Sequence, residues 1–341
     1  MWVEEFNYVL PQKLIAQEPI PHRDESRLLV LHRKEGFLEH RCFRDLGTYL
    51  RPGDVMILND SRVLPARIFA RRAKTGGKVE TLLLKSLGQN KWEALVKPGR
   101  RVPVGEELIY GEGELKGTVV AKTVAGGRVI EFNYREGTLG EHLGNLGQMP
   151  LPPYIHKELK DPERYQTVYS RREGSAAAPT AGLHFTREFL REIRDCGVEV
   201  HYLTLHVGLD TFRPLKVKKV EEHKMHTEYY EVPSQTAEAV NRCKRGGGRV
   251  IAVGTTVART LETAVVAGSL LPGEGWSDLF IYPGYEFKMV DVLLTNFHLP
   301  QSTLLLLVSA FAGKEKILHA YGEAVKEEYR FFSFGDAMLI I

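Results

Sequence analysis

Several short stretches of this 341-residue chain carry side chains able to do chemistry. GSAAAPTAGLHFT, residues 174–186, is built almost wholly from small residues and ends on one histidine, His184, followed by Phe185. Side chains this small cannot hold the segment by their own packing. It is therefore either a surface linker or a place where backbone comes close to a ligand. RVIAVGTTVARTLE runs an apolar strand into Gly254, after which Thr255 or Thr256 can cap a helix that also carries Arg259. The free amides and positive dipole end of such a helix suit an anion or ribose hydroxyls, and a plain N-cap uses the same residues. VDVLLTNFHLPQST places Thr295, Asn296 and His298 in a strand-to-helix connection, where open α/β sheets bind ligands; a turn satisfying its own backbone reads the same way. TLHVGLDTF adds His206, Asp210 and Thr211 at a third strand end, and Asp60 closes the strand DVMILND.

Other chemistries find less support. EHKMHTEYYEV offers His223, His226 and Glu228, but the spacing is not HExxH and no fourth ligand follows, so a loop leading into a strand competes with a metal site. Ser175, Ser302 and Ser309 sit in no GxSxG elbow. Cys42, Cys196 and Cys243 are odd in number and show no CxxC spacing, which reads as three free thiols. There is neither a GxGxxG nor a Walker sequence.

The elements that must position these residues fall into two patterns. SRLLVL, DVMILND, VEVHYLTLHVG, RVIAVGTT and VDVLLTNFHLP read as apolar strands, and REFLREIRDCG, VARTLETAVVAG and STLLLLVSAFAG as helices. Strand followed by helix implies an α/β layer with parallel strands, barrel-like or open. Between them RIFARR, KVETLLLKSL, WEALVKP, ELKGTVVAKTV and RVIEFNY are short strand-like runs broken by Gly, Asn and Lys, the pattern of a small β-barrel. The expected organisation is an α/β catalytic domain from residues 1–60 plus 150–341, with a β-barrel domain inserted at 61–149. The prolines of MPLPPYI mark the chain's return.

Composition narrows the class. Hydrophobic residues make up 43% and aromatics 9%, as in an ordinary globular protein. The longest apolar stretch, around Leu304–Ala312, is about half of the ~20 residues a bilayer span needs, and the N-terminus does not read as a secretory signal. The expectation is a cytoplasmic protein with no membrane partner. The net charge of +3 is unevenly spread: residues 67–101 hold ten basic and two acidic side chains, +8 against −5 for the remainder. That is the footprint of a surface facing a polyanion, or of a solvated barrel exterior. Arg71, Arg72, Lys97, Arg100 and Arg101 crowd this window, with Arg62 and Arg67 at the domain junction.

Read in order, the stretches LPQKLIAQEPIPHRDESRLLVL, GDVMILNDSRVLPAR, WEALVKPGRR, MPLPPYI, ERYQTVYSRREGSAAAPTAGLHFT, LTLHVGLDTFRPL, HKMHTEYY, IAVGTTVARTLE, FIYPGYEFKMVDVLLTNFHLPQSTLLLLVSAFAG and YRFFSFGDAML resemble, nearly end to end, the S-adenosylmethionine:tRNA ribosyltransferase-isomerases of queuosine biosynthesis. Ser61 stands where that family has Thr, and Asp210 where it has Gly; the first exchange keeps a hydroxyl and the second adds a charge.

The resemblance implies a transferase-isomerase that moves the ribosyl part of S-adenosylmethionine onto 7-aminomethyl-7-deazaguanine at the tRNA wobble position, giving epoxyqueuosine, adenine and methionine. S-adenosylmethionine is then a co-substrate, no cofactor or metal is permanently bound, tRNA is the partner, and the protein acts as a monomer. The sulfonium acidifies the C5′ proton, so a general base such as histidine can start the reaction by removing it; the ribose opens, adenine leaves, and an epoxide closes with loss of methionine. On this reading His184, His206, His298 and Asp60 share a pocket, with one histidine as the base. Thr180, Gly254, Thr255, Thr256, Arg259 and Asn296 bind the co-substrate. Arg62, Arg67, Arg71, Arg72, Lys97, Arg100 and Arg101 bind the nucleic acid. Two rivals remain: an S-adenosylmethionine-dependent tRNA methyltransferase and a non-catalytic tRNA-binding protein.

Overall fold

The protein is described by a computed structural model covering residues 1–123, 126–208 and 214–341. Its strands are, in chain order, β1 Arg27–Leu31, β2 Leu38–Cys42, β3 Val55–Asn59, β4 Ser61–Val63, β5 Arg67–Arg72, β6 Lys78–Gly88, β7 Lys91–Lys97, β8 Glu107–Tyr110, β9 Leu115–Lys122 and β10 Arg128–Tyr134. They continue as β11 Arg172–Ser175, β12 Glu199–Leu205, β13 Glu228–Val232, β14 Val250–Val253, β15 Val265–Val266, β16 Ser269–Leu270, β17 Gly273–Ser277, β18 Val292–Asn296 and β19 Ala337–Ile340. The helices are α1 Leu139–Leu146, α2 Arg187–Asp195, α3 Ser234–Arg245, α4 Thr255–Thr263, α5 Thr303–Ala312 and α6 Lys314–Lys326.

Two compact units result. One contains Met1–Ser61, Pro152–Arg172 and Ala178–Ile341, and the other Arg62–Leu151 and Glu173–Ala177. The five residues Glu173–Ala177 belong with the second unit, where Leu64 N donates to Ser175 O at 3.1 Å.

The first unit is built on a nine-stranded sheet of order β17-β13-β12-β3-β14-β18-β19-β1-β2. Every residue of β3, β14 and β18 is buried, because helices cover both faces; this is why their sequences are unbroken apolar runs rather than alternating ones. One face packs α3 to α6 through residues such as Val240, Leu261, Leu306 and Tyr321. The other packs Phe43, Leu46 and α2 through Phe185, Phe189 and Ile193.

β12, β3, β14 and β18 are mutually parallel, as strand–helix alternation requires, but the sheet as a whole is mixed. β19 runs antiparallel to β18. Two consecutive helices, α5 and α6, separate these strands and return the chain to the end it left, so β19 has to descend where β18 ascends. β2, β13 and β17 add antiparallel edges.

In the second unit β10-β7-β6-β5-β8-β9 close into a barrel. Its strands alternate: in β6, Val79, Thr81 and Leu83 point inward, and the buried Thr81 Oγ1 meets Tyr110 Oη at 3.0 Å. The sequence pattern picks out five of the six strands and misses the four-residue β8.

Candidate functional site

The parallel strands β14 and β18 end side by side, and a cleft of about 530 Å³, open mouth included, lies at their carboxyl ends. Gly254, Thr255 and Thr256 line it from the start of α4; Thr295, Asn296 and His298 line it from β18 and the turn after it. Ala178, Pro179, Thr180 and Ala181 come from the small-residue stretch, Val207 from the end of β12, and Phe332 and Ser333 from the loop before β19.

The α4 start is not capped by a threonine as the sequence reading allows. Gly254 is the N-cap, with φ of 93° and no side-chain cap, so Thr255 and Thr256 open the helix itself. A positive φ favours glycine, and it turns the chain sharply from β14 into α4. The N-cap thus offers no side-chain partner to the first-turn amides of α4 among the described residues, and Thr255 and Thr256 line the cleft. Thr256 Oγ1 accepts from Asn59 Nδ2 at 3.3 Å.

The small residues of 178–186 have two separate causes. Ala178 to Ala181 border the cleft, but a Cβ on Gly182 would collide with the Tyr169 hydroxyl. Glycine at that point serves the packing of Tyr169 rather than ligand approach.

The three histidines are in different states. His184 is buried and both its ring nitrogens are occupied: Nδ1 lies 2.7 Å from Ser26 Oγ and Nε2 lies 3.2 Å from Asn296 Nδ2, while the ring stacks on Phe43. Asn296 Nδ2 also donates to Phe332 O at 3.2 Å, which fixes the amide orientation. His184 Nε2 must then be the acceptor and Nδ1–H the donor to Ser26. Burial, reinforced by the positive charges of Arg23 and Arg330, lowers its pKa to about 3. His184 does not line the cleft; it orients Asn296, which does. The Asn296 Oδ1 is a buried acceptor with no hydrogen-bond partner among the described residues, on a residue that lines the cleft.

His298 lines the cleft and its ring has one free nitrogen. Nε2 lies 2.8 Å from Thr295 Oγ1, and no hydrogen bond engages Nδ1 among the described residues. Its backbone is pinned on both sides, by Tyr8 Oη donating to the carbonyl and the amide donating to Tyr321 Oη. Burial lowers its pKa to about 3, so the imidazole is neutral.

His206 lies beside the cleft, one residue before Val207, with its ring stacked 5.6 Å from Tyr229 and its Nδ1 without a hydrogen-bond partner among the described residues. Burial lowers its pKa, the Asp60 charge raises it and Arg172 lowers it. Asp60 is buried with both oxygens engaged: Thr204 Oγ1 donates to Oδ1 and Arg171 Nε to Oδ2, each at 2.6 Å. The four residues expected in one pocket therefore divide. His298 lines the cleft, His184 stands behind Asn296, and His206 and Asp60 form a neighbouring cluster at the end of β12.

Arg259 also lies outside the cleft lining. It is buried against Glu228, Nη1 to Oε2 at 2.8 Å. Burial pushes the Glu228 carboxyl up, but Arg259, His226 and the Gly208 amide outweigh it and bring the pKa down to about 2. His226 Nε2 lies 3.2 Å from Glu228 Oε1, which uses the carboxylate that a metal would need. Among the described residues no three His, Cys, Asp or Glu side chains gather as metal ligands. Asp210 and Thr211 lie outside the described residues. The three cysteines are free.

In the barrel unit, Arg72 Nη2 is paired with the buried Glu106 at 2.6 Å and Arg67 Nε with Glu80 at 3.2 Å, so these two arginines of the basic window are committed internally. Arg71, Lys97, Arg100 and Arg101 are exposed, the last two on the 3-10 turn Gly99–Arg101 that follows β7.

Residues that carry structure here and escaped the sequence reading are Asn59, Ser26, Thr204, Arg171 and Phe332. Asn59 is fully buried; its Nδ2 donates to Leu205 O and its Oδ1 accepts from Leu205 N and Ser61 N, locking β3 to β12. The pair Asn-Asp closing an apolar strand was the available signal. Phe332 holds φ of 70° at the cleft, a rare state for an aromatic residue, and nothing in its sequence context announces this.

Comparison with known proteins bears on this site. The family described as Queuosine biosynthesis protein matches residues 3–340. Proteins named S-adenosylmethionine:tRNA ribosyltransferase-isomerase from Symbiobacterium thermophilum and Moorella thermoacetica are 59% and 60% identical, each over 100% of both chains. The crystal structure of S-adenosylmethionine tRNA ribosyltransferase from Thermotoga maritima is 42% identical, covers 99% of this chain and 100% of its own, and superposes with a TM-score of 0.57.

Proposed function

We propose a working site from one premise: this chain belongs to the queuosine biosynthesis protein family. It is a transferase-isomerase that transfers and isomerises the ribosyl moiety of S-adenosylmethionine onto 7-aminomethyl-7-deazaguanine at the tRNA wobble position, releasing adenine and methionine. Full-length identity near 59% to proteins of that name disfavours a methyltransferase or a non-catalytic binding protein.

The observation that carries the site is the convergence of the α4 start, the buried unpartnered Asn296 Oδ1 and the His298 ring on one cleft. In our reading S-adenosylmethionine occupies it. The methionine carboxylate meets the free amides of Thr255 and Thr256 at the helix start. Asn296 Oδ1 accepts from the methionine ammonium or the adenine amine, and Thr180 borders the nucleoside. His298 Nδ1 is the acceptor for the C5′ proton. Its low proton affinity places the burden of stabilising the carbanion on the adjacent sulfonium, which holds the electron pair as an ylide. As the ribose opens, the bond from C1′ to adenine breaks and one to the aminomethyl nitrogen forms, adenine leaving with a proton; epoxide closure at C5′ then breaks the carbon–sulfur bond and releases methionine. His206, just after β12, faces the incoming base, and Asp60, just after β3, holds Thr204 and Arg171 beside it. Arg259 acts through Glu228, whose Oε1 receives the Gly208 amide at 2.7 Å, and so positions the turn after β12.

The two compact units serve as catalytic and tRNA-holding domains, with Lys97, Arg100, Arg101 and Arg71 on phosphate, and Arg62 near their junction. The protein works as a cytoplasmic monomer. Among the described residues no helix is long and apolar enough to cross a membrane. Incubation with S-adenosylmethionine and tRNA bearing the deazaguanine precursor should release free adenine. S-adenosylhomocysteine in its place would refute the reading.

A further inference from the structure

At the edge of the large sheet three rings stand in one cross-strand row. His206 N donates to Tyr229 O at 3.0 Å, setting the residue after β12 opposite β13, and Tyr229 is the register partner of Trp276 on β17. Side chains opposite one another on neighbouring strands share a face. The His206 and Tyr229 ring centroids are 5.6 Å apart and nearly parallel, at 19°; Tyr229 and Trp276 are 5.7 Å apart, edge to face. Burial decreases along the row, and Trp276 at its outer end is 51% exposed. The inner end adjoins the cleft, since Val207 next to His206 lines it.

Charge on this face is arranged around the rings. Arg171 and Arg172 are 57% and 56% exposed, one anchored to Asp60 and the other to Glu231. The Tyr229 hydroxyl donates to Glu274. Asp60 and Glu231 are each paired with an arginine, Glu274 is held by a neutral hydroxyl, and although the Arg171 guanidinium lies over the Tyr202 ring, more than half of each arginine side chain is exposed.

We propose that this row is a stacking platform for unpaired anticodon-loop bases of the tRNA, beside the wobble nucleotide. The inference rests on the function given above. A wobble base presented to a cleft leaves its own stack, and the bases beside it lose a partner. Sequence-tolerant replacement of that partner by aromatic side chains is how proteins hold single-stranded nucleic acid, with arginines on the backbone. A row of rings that begins at the site and ends in solvent has that form. The occupant is RNA rather than a second copy of the chain, because the arginines flank the row and the row leads to the cleft where the base must go.

The test uses the full-length protein and an anticodon stem-loop RNA, with binding followed by anisotropy of a labelled RNA. Trp276→Ala should weaken binding roughly tenfold, the scale of one base–aromatic stack, while Trp276→Phe stays near wild type. An abasic residue beside the wobble position should weaken wild type by a similar factor and add little to Trp276→Ala. S-adenosylmethionine affinity, and turnover at saturating tRNA, should not change in either variant. Equal RNA affinity in wild type and Trp276→Ala, an abasic penalty identical in both, or loss of a protein dimer instead of RNA affinity would overturn the platform alone. Wild-type protein that releases no adenine from S-adenosylmethionine and precursor tRNA would overturn the function beneath it.

Discussion

At the scale of single residues, the site turns on which histidine has a nitrogen to spare. His184 sits in the most ligand-like stretch of the sequence, yet Ser26 and Asn296 occupy both its ring nitrogens. Its work is to hold an amide, and that assignment has a pH signature. His184 and His298 both have pKa values lowered to about 3 in the folded protein against an ordinary 6.5. Below that ordinary value the unfolded chain binds protons that the folded chain refuses. Stability is therefore complete above about pH 6.5 and falls as the pH drops toward 3, by about 1.4 kcal/mol per pH unit for each such histidine. Thermal melting followed from about pH 7.5 down to 5 should show Tm falling progressively, and a flat Tm across that interval would contradict the two neutral, buried imidazoles. For the same reason, no loss of turnover with an apparent pKa near 6.5 is expected from His298.

At the scale of elements, the strand ends were legible because apolar runs stop abruptly at glycine or a polar residue: VIAV at Gly254, VLL at Thr295, VMIL at Asn59. What periodicity does not contain is direction and partnership. Whether β19 runs with or against β18 depends on α5 and α6 forming a pair, and whether Arg259 faces a ligand depends on Glu228, which reaches it from a strand thirty-one residues earlier. The basic window shows the same limit. Charge counting marks ten cations alike, but on β5 Arg67 and Arg72 neutralise Glu80 and Glu106, whereas the turn after β7 exposes Arg100 and Arg101 beside Lys97. Charge removal at Lys97, Arg100 or Arg101 should each lower the slope of log tRNA affinity against log salt by roughly one. Arg72→Gln should leave that slope in place and cost stability instead, because it strands the buried Glu106. A slope that responds to Arg72 and not to the turn would reverse the assignment.

At the scale of the molecule, a sheet covered on both faces leaves its carboxyl edge as the place where polar groups can gather without cost to the core. α4 contributes free amides there, β18 contributes Asn296 and His298, and the 178–186 stretch contributes backbone and small side chains. Asp60 and His206 take up the neighbouring ground at β12, where the row of rings begins. The proposals of co-substrate chemistry in the cleft and base capture beside it rest on that layout. The most direct measurement is single-turnover adenine release from S-adenosylmethionine and precursor tRNA by His298→Ala and His184→Ala, with S-adenosylmethionine affinity measured in parallel. Loss of general-base catalysis costs ~10²–10⁴-fold, so His298→Ala should lose that much in rate while still binding S-adenosylmethionine. His184→Ala should lose stability and co-substrate affinity but keep its rate at saturation within about tenfold of wild type, as expected of a positioning residue that takes no proton. Near-normal adenine release by His298→Ala, with collapse confined to His184→Ala, would contradict the account.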